Sequence, residues 1–143
     1  MSLHYTLKIA DWDTLREHAA LIRHEVFVVE QAVPAELEMD ELDIVCLHAV
    51  AYDQEGQPLA TGRLLPDGHI GRMAVRKSGR GGGIGGAVLQ VLIAAARQRG
   101  DRQVMLNAQT HAASFYARHG FVQEGEEFME AGIAHIAMRM QLG

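Results

Sequence analysis

Apolar and polar positions alternate at the start of the chain, with Leu3, Tyr5, Leu7 and Ile9 set against His4, Thr6 and Lys8. That two-residue period predicts a strand with one buried face. Leu15, Ala19, Ile22 and Val26 then fall at helical spacing to about Phe27, and Thr14 to Glu17 has the spacing of a capping box, so an amphipathic helix follows. From Glu30 to Asp43 neither period survives. The stretch holds Pro34 and then Glu36, Glu38, Asp40, Glu41 and Asp43, and it reads as a solvated acidic loop with room for one helical turn.

Strands are predicted over Val45–Tyr52, Leu59–Leu65 and Ile70–Val75, separated by turns at Asp53–Gly56 and at Pro66-Asp67-Gly68. A glycine cluster leads into a largely apolar helix from about Ile84 to Arg99, closed by Gly100. Val104–Asn107 is the next strand. Because a helix separates it from the Ile70 strand, the two should pair in parallel through a right-handed crossover. A short helix over Ala112–His119 precedes strands near Phe121–Gln123 and Ile133–Met140. The expected fold is α/β (α+β): a mixed, mostly antiparallel sheet with one parallel βαβ unit, flanked by helices.

The chain has 143 residues, which fits one domain over 1–143 with no room for a second. Its formal net charge of -5 argues against a nucleic-acid binder, since phosphate neutralisation needs clustered Lys and Arg. The only basic cluster is Arg72, Arg76, Lys77 and Arg80, beside the glycines. Cys46, the single cysteine, sits between Val45 and Leu47 and reads as a buried, inert thiol suited to a reducing cytoplasm. No apolar stretch approaches the roughly 20 residues of a membrane span, and the N-terminus lacks a signal-peptide core.

Chemistry concentrates at Arg80-Gly81-Gly82-Gly83-Ile84-Gly85-Gly86, between a strand and a helix. Glycines there let backbone N–H groups converge on a phosphate or pyrophosphate at a helix start. Gly81, Gly83 and Gly86 match the dinucleotide pattern, but Leu106 and Asn107 stand where the ribose-binding acid is needed. The P-loop spacing of Gly81 and Gly86 is followed by Ala87 and Val88 in place of Lys and Ser/Thr. Neither nucleotide pattern is completed.

Arg80-x-x-Gly83-x-Gly85 resembles the Q/R-x-x-G-x-G/A signature of GNAT acetyltransferases. Downstream, Gln109-x-x-Ala112-x-x-Phe115-Tyr116-x-x-x-Gly120-Phe121 resembles that family's N-x-x-A-x-x-F-Y-x-x-x-G-F segment. The stretch from Arg23 to Pro34, with Asp40, Asp43 and His48, is similar to the ElaA-like branch. The resemblance implies acetyl-CoA as co-substrate, no metal, and an amine acceptor of unspecified kind. It places Met73, Ala74 and Val75 along the pantetheine, Arg80 and residues Gly81, Gly82, Gly83, Ile84, Gly85 and Gly86 on the pyrophosphate, and Asn107 and Gln109 as further coenzyme contacts. A backbone N–H of Ala74 or Val75 would meet the oxyanion, and the Tyr116 hydroxyl the departing thiolate.

Direct transfer in a ternary complex is the expected route, because no nucleophile–base pair is legible. Glu30, His48 and His135 are the candidates for the base. The rival expectation is a non-catalytic acyl-CoA-binding module that keeps the glycine nest and loses proton transfer. Homodimerisation, common among such folds, follows by analogy alone.

Overall fold

The structure is a computed structural model that describes residues 5–143; Leu3 and His4 of the expected first strand lie outside the described residues. Four strands, β1 (Thr6–Ala10), β2 (Leu47–Tyr52), β3 (Pro58–Leu64) and β4 (Ile70–Val75), form one antiparallel sheet in the order β1-β2-β3-β4. A second antiparallel sheet has the order β5-β7-β6, from β5 (Gln103–Gln109), β6 (Val122–Glu130) and β7 (Ile133–Gln141).

Helix α1 (Trp12–Arg23) covers one face of the first sheet with Trp12, Leu15, Ala19 and Ile22, packed with Val50, Tyr52 and Ala74. On the opposite face lies α3 (Ile84–Gln98), whose Ile84, Val88, Leu89, Leu92 and Ile93 pack with Ala49, Ala51 and Leu64. The alternate residues of β2 thus enter two cores, which is why that strand reads as a continuous apolar run. Helix α1 is capped by Asp11, which accepts from the Thr14 amide at 2.9 Å and its hydroxyl at 2.6 Å. The cap therefore falls three residues before the Thr14–Glu17 box that the spacing suggested.

Past Arg23 the helix does not stop near Phe27 but widens into a π-helical segment, His24–Glu30, with Gln31 N–H bonded to Val26 O at 3.2 Å. The acidic stretch after it forms α2 (Ala35–Glu38) and a 3₁₀ turn over Glu41–Val45, so β2 begins at Leu47 instead of Val45. Helix α4 (Ala113–Arg118) connects β5 to a β6–β7 hairpin that turns at Ala131 and Gly132. Among the described residues no helix is long and apolar enough to cross a membrane, and no group of three or more His, Cys, Asp or Glu is placed to hold a metal.

Strands β4 and β5 do not form the expected parallel ladder. They meet in a single parallel bridge between His69 and Met105, with Met105 N–H bonded to Gly68 O at 3.2 Å. Beyond it they diverge, and the gap between them opens into a cleft. A bulge in β4 accompanies the divergence: Thr61 faces Ala74 and Arg63 faces Gly71, so Gly62 alone opposes both Arg72 and Met73. Bulges bend and over-twist the strand that carries them. A β-carbon at Gly62 would collide with Met73 Sδ and lie 2.9 Å from Leu92 Cδ1, so a larger residue opposite the bulge would have to displace both side chains.

Candidate active site

The cleft encloses about 920 Å³ between the π-helical segment and α2 on one side and β4, β5, α4 and the β6–β7 hairpin on the other. Of the residues singled out from the sequence, Met73, Arg80, Asn107, Gln109, Tyr116, Glu30 and His135 line it. His48 does not: it is 1 % exposed under Trp12, bonded through Nε2 to Asp43 O at 2.9 Å, and burial lowers its pKa. Ala74 is buried in the α1 core.

Val75 is placed by the hydrogen-bond alternation of β4. Arg76 N–H donates to Leu59 O at 2.8 Å, so Arg76 and Ala74 turn their amides to β3. Val75 turns its N–H and C=O the other way, toward the gap, and its carbonyl accepts from Arg80 Nε at 2.9 Å. Of the two oxyanion donors expected from the sequence, only Val75 turns its backbone N–H away from β3, although neither residue is among those lining the cleft.

The glycine loop stands at the end of β4. Gly83 caps α3 in the left-handed region at φ 80°, and a β-carbon there would meet nothing within 4 Å, so the residue is glycine for its backbone angle and leaves open space above the helix start. The first α3 amide with a helical acceptor is Ala87, 3.1 Å from Gly83 O. The amides of Ile84, Gly85 and Gly86 ahead of it are the free donors of a helix start. Gly85 serves packing instead: a β-carbon would sit 3.2 Å from Val75 Cγ2. An open cradle of unpaired N–H groups fits the pyrophosphate of a coenzyme.

Tyr116 is 9 % exposed, with its ring edge-on to Phe115 and Phe121 at centroid distances of 5.1 and 6.0 Å. Its hydroxyl has no hydrogen-bond partner among the described residues, and burial pushes its pKa up to about 12. The phenol is therefore a neutral donor at every ordinary pH. His135, 7 % exposed on β7, directs Nδ1 at Ile133 O at 2.7 Å. A carbonyl can only accept, so Nδ1 carries a proton and Nε2 is the nitrogen that gains or loses one. Nε2 faces Glu130 Oε2 at 3.6 Å, and the ring stacks on Phe128.

Glu30 closes the π-helical segment and accepts from Arg80 Nη2 at 2.7 Å. That hydrogen bond holds its carboxyl below the usual glutamate range, which suits ion pairing better than proton abstraction. Gln109 is occupied by Gln31, to which it donates at 2.9 Å, and by His111 at 2.7 Å. Asn107 is exposed on the cleft wall.

The acidic stretch is not the solvated face its composition suggested. Glu38 and Asp43 are buried and bind Arg23, which is itself 1 % exposed. Arg63 bridges Asp40 at 2.7 Å and Asp43 at 2.8 Å. Arg72, at φ 49° in the β4 bulge, donates to Glu38 O at 3.0 Å, Leu37 O at 3.2 Å and Asp40 at 3.2 Å. Three arginines and three carboxylates thus cancel and pin the α2 segment over the bulge. The hydrogen bond from Arg63 is the main reason that the Asp40 carboxyl titrates at about 2. A signal was present in the sequence: Arg23 lies four residues after Ala19, on the apolar stripe of α1, where a charge demands a partner.

A β4–β5 gap flanked by a glycine-capped helix, with a buried phenol on its wall, is the framework of an acyl-CoA-dependent acyltransferase. The chain belongs to the GNAT acetyltransferase family, whose model, described as "Acetyltransferase (GNAT) domain", matches residues 12–142. It is 45 % identical over 124 residues to YjcF, an uncharacterized N-acetyltransferase of Bacillus subtilis, covering 84 % of this chain and 88 % of that protein. Among solved structures it is similar to an acyl-CoA N-acyltransferase of Pseudomonas aeruginosa, at 37 % identity and a TM-score of 0.80 over 97 % of this chain and 99 % of that one. It is also similar to Escherichia coli ElaA, at 26 % identity and a TM-score of 0.83 over 96 % and 99 %. Membership makes the chain an acyltransferase and implies an acyl-CoA co-substrate with an amine acceptor.

Proposed function

We propose that the chain transfers an acetyl group from acetyl-CoA directly to a primary amine, both substrates being bound at once. The observation that carries this reading is Tyr116: its ring is buried, and its hydroxyl, without a hydrogen-bond partner among the described residues, is borne on the wall of the cleft that runs between β4 and β5. A non-catalytic binding module has no use for a phenol desolvated at that place. The amides of residues 81–86 hold the pyrophosphate, and the pantetheine lies along the β4 edge past Met73 and Ala74. Val75 N–H meets the carbonyl oxygen as it gains charge, in the manner of an oxyanion hole.

The acceptor enters as an ammonium with a pKa of roughly 10.4 if it is lysine-like, so it must shed a proton before it can attack. His135 Nε2 takes that proton, its ring held by Ile133 O and facing the Glu130 carboxylate. The neutral nitrogen attacks the acetyl carbonyl, the carbon–sulfur bond breaks, and Tyr116 donates a hydrogen bond to the leaving sulfur. Glu30 keeps Arg80 at the end of β4 and takes no proton.

Replacement of His135 by Ala tests the reading. The expected result is a kcat at neutral pH lowered by about 10²-fold or more, the lower end of what general bases contribute. Acetyl-CoA affinity should be unchanged, and the deficit should shrink toward alkaline pH as the free amine becomes abundant. An unaltered pH–rate profile would remove His135 from the chemistry.

A further inference from the structure

Charges along the cleft cancel one another with one exception. Arg63 is met by Asp40 and Asp43, Arg72 by Asp40, Arg80 by Glu30, and Glu38 by Arg23. Glu130 has no arginine or lysine partner among the described residues. Its carboxylate is half exposed at the end of β6 and faces only Nε2 of His135, at 3.6 Å. His135 is more than nine-tenths buried, and its Nε2 makes no hydrogen bond among the described residues. One unmatched negative charge and one ring nitrogen without a hydrogen bond therefore meet in a cleft that is also lined by the apolar Phe27, Val33, Leu37, Leu65, Ile70 and Ile133.

We infer that the acceptor is a primary alkylamine on an apolar stem, with no carboxylate near the amine. Glu130 draws its ammonium in, and the stem lies on the apolar wall. The inference rests on the transferase reading above and narrows its substrate class. Of the two protons that the nitrogen sheds, one goes to His135 Nε2 before attack and on to solvent; the other leaves to solvent after attack, and solvent protonates the coenzyme thiolate, since Tyr116 keeps its own proton. With a monocation the site stays balanced, as imidazolium faces carboxylate. An α-amino acid would instead bring a second carboxylate close to Glu130, while Arg63, Arg72 and Arg80 are each already paired with a carboxylate, and like charges in a partly dry cleft repel strongly. Among fully buried side-chain nitrogens and oxygens of the described residues only Nε of Arg63 lacks a partner, and its guanidinium is committed to Asp40 and Asp43.

Three probes that share one ring and one amine test this: 2-phenylethylamine, L-phenylalaninamide and L-phenylalanine, compared at equal ammonium concentration. The expected kcat/KM falls in that order, by about tenfold or more from first to last, as befits discrimination by an unpaired charge. Glu130→Gln should narrow the gap, chiefly by raising the KM for phenylethylamine, with acetyl-CoA affinity and the circular dichroism spectrum unchanged. Phenylalanine acetylated as well as phenylethylamine, or a gap untouched by Glu130→Gln, overturns the acceptor class and leaves the transferase reading standing. Acetyl-CoA bound but none of a broad amine panel acetylated overturns the transferase reading, and the acceptor class with it.

Discussion

Tyr116→Phe removes one oxygen from a ring that is 9 % exposed and leaves its edge-on contacts with Phe115 and Phe121 intact. The size of the effect follows from the phenol's acidity. Burial pushes its pKa up to about 12, whereas an ordinary alkyl thiol titrates at about 8.5. A proton shared between them rests on the tyrosine, so Tyr116 stabilises the departing thiolate as a hydrogen-bond donor and does not hand its proton over. Hydrogen bonds to charged groups contribute about 1.5–3 kcal/mol, which converts to a rate loss of about 10- to 150-fold. Full general-acid catalysis would reach about 10²–10⁴-fold. The assay is single-turnover transfer with saturating acetyl-CoA, so that product release does not mask the chemistry. Acetyl-CoA affinity and Tm should stay close to wild type, and Tyr116 should contribute no alkaline limb to the pH–rate profile below about pH 11, given its raised pKa. A rate within about threefold of wild type would assign Tyr116 to packing.

Gly83→Glu should lower acetyl-CoA affinity by at least about tenfold through charge repulsion at the helix start, measured by calorimetry on protein that still melts cooperatively. Gly83→Ala, strained only by the φ of 80°, should lose less, and equal affinity in both variants would contradict pyrophosphate binding there. Asp40 gives a pH dependence. Its folded pKa of about 2 lies below the unfolded value near 3.9, so its stabilisation is present above about pH 4 and disappears as the pH falls through 2. After solvent screening this amounts to about 1 kcal/mol. Asp40→Asn should therefore lower Tm at pH 6 by about 3 °C or more, with the difference from wild type shrinking toward pH 2.

Helix α3 and the glycine loop were legible because an apolar run behind a glycine cluster has few other ways to fold, whereas Tyr116, Met73 and Arg80 were singled out by the family resemblance and line the cleft. Four features were not legible. β6 extends to Glu130 with nearly every residue exposed, so no buried face wrote a period into the sequence past Gln123. The β4–β5 ladder reduces to one bridge because the strands part at a bulge, whose positive φ falls on Arg72 instead of on a glycine. Val26, Val28 and Val29 lower helix preference, yet the chain stays helical to Glu30 with wider hydrogen bonding. That extension is what carries Glu30 to Arg80. The Glu130–His135 pair depends on the hairpin register, in which Phe128 faces His135, and five residues of separation along the chain do not reveal it.

The measurement that bears most directly on acetyl transfer follows two products at once: coenzyme thiol released from acetyl-CoA, and acetylated amine identified by mass spectrometry, with the intact protein weighed in the same reaction. Direct transfer predicts that thiol appears only when a primary amine is present, in equal amount to the acetylated amine, and that the protein mass never increases. Thiol released without amine, an acetylated protein intermediate, or acetyl-CoA bound and left intact across the amine panel would each contradict it.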